Sequence, residues 1–226
     1  MILSSGDRKP VFGLNLPNVI TIARILLAVI IIPLLFVDQF TPRIVAFIIF
    51  LIAAFSDLWD GHLARSRGLV TDLGKLLDPL ADKLLLAATL IPFYLLSNFL
   101  QPETGFPWFG DVFPLWIVLV VFGRELFITL FRAWAARRGV VIPAGPAGKY
   151  KTVFQNIFIG STILWYALQA AARDARWDGS FWAFWQPVHF WFSVVTLSVA
   201  VVLTIYSMFI YLWNCRSLVS THPSNR

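Results

Sequence analysis

Long apolar stretches alternate with short polar ones along this chain, at the spacing of membrane-crossing helices. The apolar stretches cover roughly 19–37, 43–65, 75–99, 114–137, 149–170 and 188–213. Each is close to or above the ~20 residues with which an α-helix crosses a hydrocarbon layer about 30 Å thick. Lipid offers no partner to backbone N–H and C=O groups, so such spans are expected to be helical throughout. The pattern predicts an all-α polytopic membrane protein with six transmembrane helices and both termini on one side. A juxtamembrane segment (1–18) would precede a single six-helix domain (19–213), and a short tail (214–226) would follow it. The first apolar run is too long for a signal-peptide core and lacks a convincing small-residue cleavage site, so it is expected to be a retained span.

Composition agrees: 58% of residues are hydrophobic and only 13% are charged, against about 25% charged in soluble domains. Placement of charge adds orientation. The segments that six spans would put on one face hold most of the cations, including Arg8, Lys9, Arg65, Arg67, Lys75, Arg137, Arg138 and Arg216. The opposite face has Arg43, Arg173 and Arg176 against Asp38, Glu103, Asp111, Asp174 and Asp178. By the positive-inside rule the first face, with both termini, is cytoplasmic, and the protein belongs in the cell's inner membrane. The net charge of +6 is spread over these segments, with no basic tail or nucleic-acid motif, so no nucleic-acid partner is expected. Cys215 is the only cysteine, which excludes an intrachain disulfide. Residues 177–192 are rich in tryptophan (Trp177, Trp182, Trp185, Trp191) and are expected to form a partly buried interfacial helix at headgroup level before the sixth span, with a role toward the lipid substrate as the alternative.

Four acids break the apolar pattern. Asp57 and Asp60 lie near the end of the second span, and Asp78 and Asp82 near the start of the third. Intramembrane carboxylates are costly and by default mark function. Helical spacing puts Asp57, Asp60, Gly61 and Ala64 on one face, and Gly74, Asp78 and Asp82 on another. An antiparallel hairpin would bring the two faces together in a polar cleft at the cytoplasmic side. Clustered carboxylates repel unless cations neutralise them, and hard oxygen ligands select Mg²⁺, Mn²⁺ or Ca²⁺. Gly61, Ala64 and Gly74 leave room for a ligand, and Arg65 can pair with a phosphate. Together these features suit a diphosphate substrate. The competing readings are interfacial ion pairs with Arg65, Arg67, Lys75 and Lys83, or a proton or ion pathway in a membrane transporter. His62 is expected to be interfacial. Pro79 leaves open whether the third helix starts near Asp78 or earlier.

As they stand, these residues read D-LW-D-G-HL-A-R, eight residues, then G-KLL-D-PLA-D. This resembles the signature of the CDP-alcohol phosphotransferases, with every signature position filled. The resemblance implies a six-helix membrane fold and a homodimer. It implies that Asp57, Asp60 and Asp78 hold a pair of divalent ions, Mg²⁺ or Mn²⁺. Asp82 would be the general base on the acceptor hydroxyl, with a further contact to metal. Asp57, Asp60, Gly61, Ala64, Arg65 and Gly74 would bind the donor, CDP-diacylglycerol, whose acyl chains stay among the membrane lipids.

The acceptor is addressed by a second polar set. Arg124 and Glu125 lie inside the fourth span; being adjacent, they are expected to point apart and find separate partners. Arg132 follows near its end, and Lys149, Lys151, Thr152 and Gln155 open the fifth span. Basic groups on the side of a phosphoryl-transfer site argue for an anionic acceptor. The segments LPNVITIAR (16–24), GRELFITLFR (123–132) and GKYKTVFQ (148–155) are similar to those of bacterial family members that use glycerol 3-phosphate. That similarity makes Thr21, Arg24, Arg124, Arg132, Lys149 and Lys151 candidates for gripping the acceptor's phosphate. Family members that make cardiolipin, phosphatidylserine or inositol-phosphate lipids share the aspartate signature and are the nearest alternatives.

Overall fold

The computed structural model describes residues 16–66, 72–137 and 147–220, with the side chains of 58–66, 72, 75, 147 and 214–220 outside that description. The described residues form six α-helices and no strand: α1 (Leu16–Phe36), α2 (Phe40–Ser66), α3 (Asp72–Leu95), α4 (Leu115–Arg137), α5 (Ala147–Ala175) and α6 (Ser180–Ser220). Four stretches among them are long and apolar enough to cross a membrane: Leu16–Phe36, Phe40–Asp57, Leu76–Leu100 and Ser180–Trp213. The protein is therefore a multi-pass, all-helical membrane protein.

Helices α4 and α5 coincide with the fourth and fifth expected spans but are less apolar, for a chemical reason. Any 18-residue stretch of α4 contains Arg124, Glu125 and Arg132. In α5 the apolar run is diluted by Gln155, Asn156, Ser161, Thr162 and Gln169. The polar positions that lower the hydropathy of these two helices include candidate site residues.

The chain divides into two compact units, Met1–Pro92 and Phe93–Arg226. In the first, α1 packs on α2. The buried face of α1 is a single stripe, Asn18, Thr21, Arg24, Ala28, Ile31 and Leu35. Its spacing of three and four is that of one helix face. The stripe is polar at its start and apolar afterwards. On α2 the buried positions Arg43, Ala46, Phe50 and Ala53 follow the same spacing and lead directly to Asp57. Small residues (Ala28, Ala46, Ala53) let helices approach closely where hydrophobic burial alone gives little drive.

The α1–α2 connection is tied by Arg43, whose fully buried guanidinium lies 2.7 Å from the half-exposed Asp38 carboxylate. Replacing Arg43 by alanine is expected to cost about 1–3 kcal/mol, the scale of a lost charged hydrogen bond in a partly buried setting. Thermal unfolding of the purified protein should show the lower transition, while an unchanged transition would make the pair dispensable.

Helix α3 begins at Asp72 and runs through Pro79 and Pro92. This answers the question Pro79 left open in the sequence: the helix starts well before Asp78. Proline inside a membrane helix is tolerated because neighbouring groups can satisfy the carbonyl it leaves.

In the second unit α5 and α4 both pack on α6. Helix α3 passes into a π-helical turn, Leu96–Leu100, and a 3-10 turn, Pro102–Thr104. Residues 105–114 are then pinned by Phe106 and Phe113, buried against Phe93, Phe158 and Tyr166. Trp165 donates its indole N–H to the Gly105 carbonyl at 2.9 Å. Gly105 itself sits at φ +68°, a region that disfavours a side chain.

The tryptophan-rich segment is helical from Ser180, as an interfacial helix would be, but it is continuous with the sixth span. It forms the first turns of α6, which starts at Ser180 rather than 188 and carries Pro187 inside it. Its aromatic residues divide, with Trp182 buried and Phe181, Phe184 and Trp191 exposed. Between α5 and α6, His189 Nε2 lies 2.9 Å from the Ser161 carbonyl and 3.0 Å from its hydroxyl. A carbonyl can only accept, so Nε2 carries the proton. The ring nitrogen is then no base for the Ser161 hydroxyl, and the cluster, completed by Ser193 at 3.1 Å, is a hydrogen-bonded clamp between helices.

Candidate active site

In the first unit three of the four signature acids have described side chains, and α1 organises all three. The Thr21 hydroxyl lies 2.8 Å from Asp78 Oδ1 and 3.1 Å from the Pro17 carbonyl. Its single proton is therefore offered to a carboxylate and to the preceding helical turn. One turn further on, Arg24 Nη1 is 2.7 Å from Asp57 Oδ1 and 3.4 Å from Asp82 Oδ1. The Arg24 side chain is 0% exposed, that of Asp57 34% and that of Asp82 58%.

The hairpin logic of the sequence thus holds for Asp57, Asp78 and Asp82: α2 and α3 both offer acids to the polar end of the α1 stripe. Arg24 and Thr21, expected at the acceptor's phosphate, stand among the acids. The contacts span 33, 57 and 58 residues of sequence, so helical spacing could not reveal them. The gradient of exposure matters chemically. Asp57 is held close to the buried cation, whereas Asp82 is the more open and more loosely held carboxylate.

Helix α2 continues to Ser66, which keeps Asp57, Asp60, Gly61, Ala64 and Arg65 on one helix as the spacing argument requires. The side chains of Asp60, Ala64 and Arg65 lie outside the described residues. Gly74 lies inside α3, one turn before Asp78.

The donor set suits a divalent cation in kind. Asp57, Asp78 and Asp82 offer only carboxylate oxygen, the chemistry preferred by Mg²⁺ and Mn²⁺, and two of these carboxylates are partly open to solvent. Among the described residues no group of three or more histidine, cysteine, aspartate or glutamate side chains is placed to hold a metal ion. The side chain of the fourth signature acid, Asp60, lies outside the described residues, and the four acids together would supply the oxygen set for a hard cation that keeps water or substrate oxygens as its remaining ligands.

In the second unit Glu125 is the centre of the basic set. Its Oε1 receives Arg124 Nη1 at 2.9 Å and also pairs with Lys151 Nζ. Arg124 uses Nη2 to donate to the Ser207 hydroxyl on α6 at 3.1 Å. The expectation that Arg124 and Glu125 take separate partners is corrected here. Both side chains are long enough for neighbours on a helix to fold toward each other. Lys151 is buried, and a buried ammonium needs a counter-charge, which Glu125 supplies. With one carboxylate between two cations, the group carries a formal charge of about +1, suited to an anionic ligand.

Arg132 and Lys149 are placed differently. Arg132 is exposed, with its guanidinium carbon 5.6 Å from the centre of the Tyr211 ring on α6, a cation–π contact. Lys149 is exposed at the start of α5. Glu125 and Ser207 were not among the expected site residues. An acid inside a span was a visible signal for Glu125. Ser207 lies 83 residues from its partner in an apolar helix and offered none.

Comparison with known proteins follows the same lines. Residues 14–213 match the CDP-alcohol phosphatidyltransferase family. A probable phosphatidylglycerophosphate synthase of Mycobacterium tuberculosis (strain H37Rv) is 36% identical over 153 residues, 66% of either chain. The aligned region therefore spans just under two thirds of that relative's length. The CDP-diacylglycerol–glycerol-3-phosphate 3-phosphatidyltransferase of Bacillus subtilis (strain 168) is 37% identical over 166 residues, 66% of this chain and 77% of the relative. The CDP-diacylglycerol–glycerol-3-phosphate 3-phosphatidyltransferase 2 of Arabidopsis thaliana is 32% identical over 169 residues, 73% of this chain and 68% of the relative. The family match runs from the start of α1 into the last third of α6 and takes in every signature acid, so the chain belongs to the CDP-alcohol phosphatidyltransferase family.

Proposed function

We propose that this protein transfers the phosphatidyl group of CDP-diacylglycerol to sn-glycerol 3-phosphate, giving phosphatidylglycerophosphate and CMP. The observation that carries the reading is the set Asp57, Asp78 and Asp82, gathered from α2 and α3 against Thr21 and Arg24, in a chain whose family and similarly named relatives point to this chemistry.

The roles divide by position and exposure. Asp57, Asp60 and Asp78 are assigned to a pair of divalent ions, Mg²⁺ or Mn²⁺, and Asp82 to general-base chemistry with a further contact to metal. When bound, the ions supply charge neutralisation at the diphosphate and at departing CMP. Gly61, Ala64, Arg65 and Gly74 are assigned to the donor's cytidine diphosphate. Asp82 takes the proton of the acceptor hydroxyl as its oxygen forms a bond to the phosphorus carrying diacylglycerol. The bond from that phosphorus to the oxygen bridging to CMP breaks, and CMP leaves with the electron pair. Arg124, Arg132, Lys149 and Lys151 are assigned to the acceptor's phosphate, which guanidinium and ammonium groups bind by charge-assisted hydrogen bonds. The distribution of cations along the sequence supports an inner-membrane location with six spans, and with the termini and the reaction on the cytoplasmic side.

The acceptor assignment is tested with purified protein in liposomes that contain CDP-diacylglycerol and Mg²⁺. Glycerol 3-phosphate, serine, inositol phosphate and phosphatidylglycerol are offered separately, and lipid products are identified by mass. Phosphatidylglycerophosphate from the first is the expected product. A product from serine alone would retain the family chemistry and overturn the acceptor.

A further inference from the structure

We infer that Arg24 is a built-in counter-ion that holds the signature acids together before metal binds and then shares them with it. The inference rests on the metal reading above and assigns Arg24 a role other than gripping the acceptor.

Three observations carry it. The Arg24 side chain is 0% exposed, and its guanidinium is already engaged by carboxylates. Its Nη1 lies 2.7 Å from Asp57 and 3.4 Å from Asp82, acids on two different helices. One turn earlier, Thr21 bonds Asp78 at 2.8 Å, so one face of α1 reaches all three described acids. Carboxylates this close repel one another unless a positive charge stands between them. A guanidinium stays charged in proteins, so this neutralisation needs neither metal nor proton uptake. The same charge opposes an arriving divalent ion and occupies an oxygen of Asp57. Arg24 therefore sets how tightly metal binds, acting through the acids, and is a positioning residue.

The test uses the full chain in detergent, with thermal unfolding followed over a Mg²⁺ titration, in the unaltered protein, Arg24→Gln and Arg24→Lys. Without metal, Arg24→Gln should melt well below the unaltered protein. Added Mg²⁺ should restore most of the difference, and its half-saturating concentration should fall by about tenfold, as expected for removing one opposing charge. Arg24→Lys, which keeps the charge, should stay near the unaltered protein in both respects. The KM for glycerol 3-phosphate at saturating Mg²⁺ should be unchanged in either variant.

Equal Mg²⁺ shifts in the unaltered protein and Arg24→Gln would overturn the inference alone. So would Arg24→Gln that cannot be recovered even when purified with Mg²⁺, since the arginine would then be purely structural. A raised KM for glycerol 3-phosphate with unaltered Mg²⁺ dependence would return Arg24 to the acceptor. No effect of Mg²⁺ on the unaltered protein would overturn the metal reading and this inference with it.

Discussion

Asp82→Asn is expected to remove turnover while leaving CDP-diacylglycerol bound. An amide keeps the size and some of the hydrogen bonding of the carboxylate but cannot take the proton of an attacking hydroxyl. General-base groups contribute typically ~10²–10⁴-fold to rate, so kcat should fall by at least about a hundredfold. The structure gives this acid the right setting. Its side chain is 58% exposed, against 34% for Asp57, and its nearest Arg24 nitrogen is 3.4 Å away, against 2.7 Å. It is thus the acid of that pair least committed to the buried cation. Equilibrium binding of a non-reactive CDP-diacylglycerol analogue, measured beside single-turnover CMP release, separates the two effects. Loss of donor binding together with turnover would make Asp82 an essential metal ligand rather than mainly a base.

Lys151→Ala should weaken use of glycerol 3-phosphate specifically. Lys151 is buried and paired with Glu125, which also holds Arg124, itself bonded to Ser207. Truncating it would remove one proposed charge-assisted partner of the acceptor's phosphate and leave Glu125 to Arg124 alone. A hydrogen bond to a charged group is worth about 1.5–3 kcal/mol, which at 1.4 kcal/mol per decade corresponds to roughly a 10–100-fold fall in kcat/KM. The change should appear in the KM for glycerol 3-phosphate, with the KM for CDP-diacylglycerol near its original value. Because Glu125 would be left short of one partner, a small fall in melting temperature should accompany it. Glu125→Gln added to Lys151→Ala should lower the melting temperature further, because Arg124 then loses its counter-charge. An unchanged KM for glycerol 3-phosphate in Lys151→Ala would remove this residue from the acceptor site.

Helices were the most legible part of this protein, because lipid permits few alternatives to them and apolar runs announce them. Even α4, broken by Arg124, Glu125 and Arg132, lies where the pattern puts it. Boundaries were less legible where two rules gave different answers. Residues 180–187 have the aromatic composition of a membrane interface but are also compatible with helix, and α6 absorbs them. Pro79 suits either a helix start near Asp78 or an earlier start, and α3 takes the earlier one, at Asp72. Within the site, the acids were legible from spacing, since positions three and four apart on a helix share a face. What spacing could not give was the partner across helices. Arg24 was a phosphate-ligand candidate through the resemblance of residues 16–24 alone; its burial against Asp57 and Asp82, 33 and 58 residues away, is a tertiary fact. Adjacent Arg124 and Glu125 looked divergent because their Cβ atoms diverge, but four-atom and three-atom stems reach past that constraint.

The acids of α2 and α3 are proposed to perform metal-dependent transfer from a cytidine-diphosphate lipid. The most direct measurement is CMP release by the purified protein in liposomes with CDP-diacylglycerol and glycerol 3-phosphate, first with Mg²⁺, then with excess chelator, then with Mg²⁺ restored. CMP should form in step with phosphatidylglycerophosphate, disappear on chelation and return on restoration, whereas no CMP under any condition, or release indifferent to chelator, would rule out metal-dependent transfer by these acids.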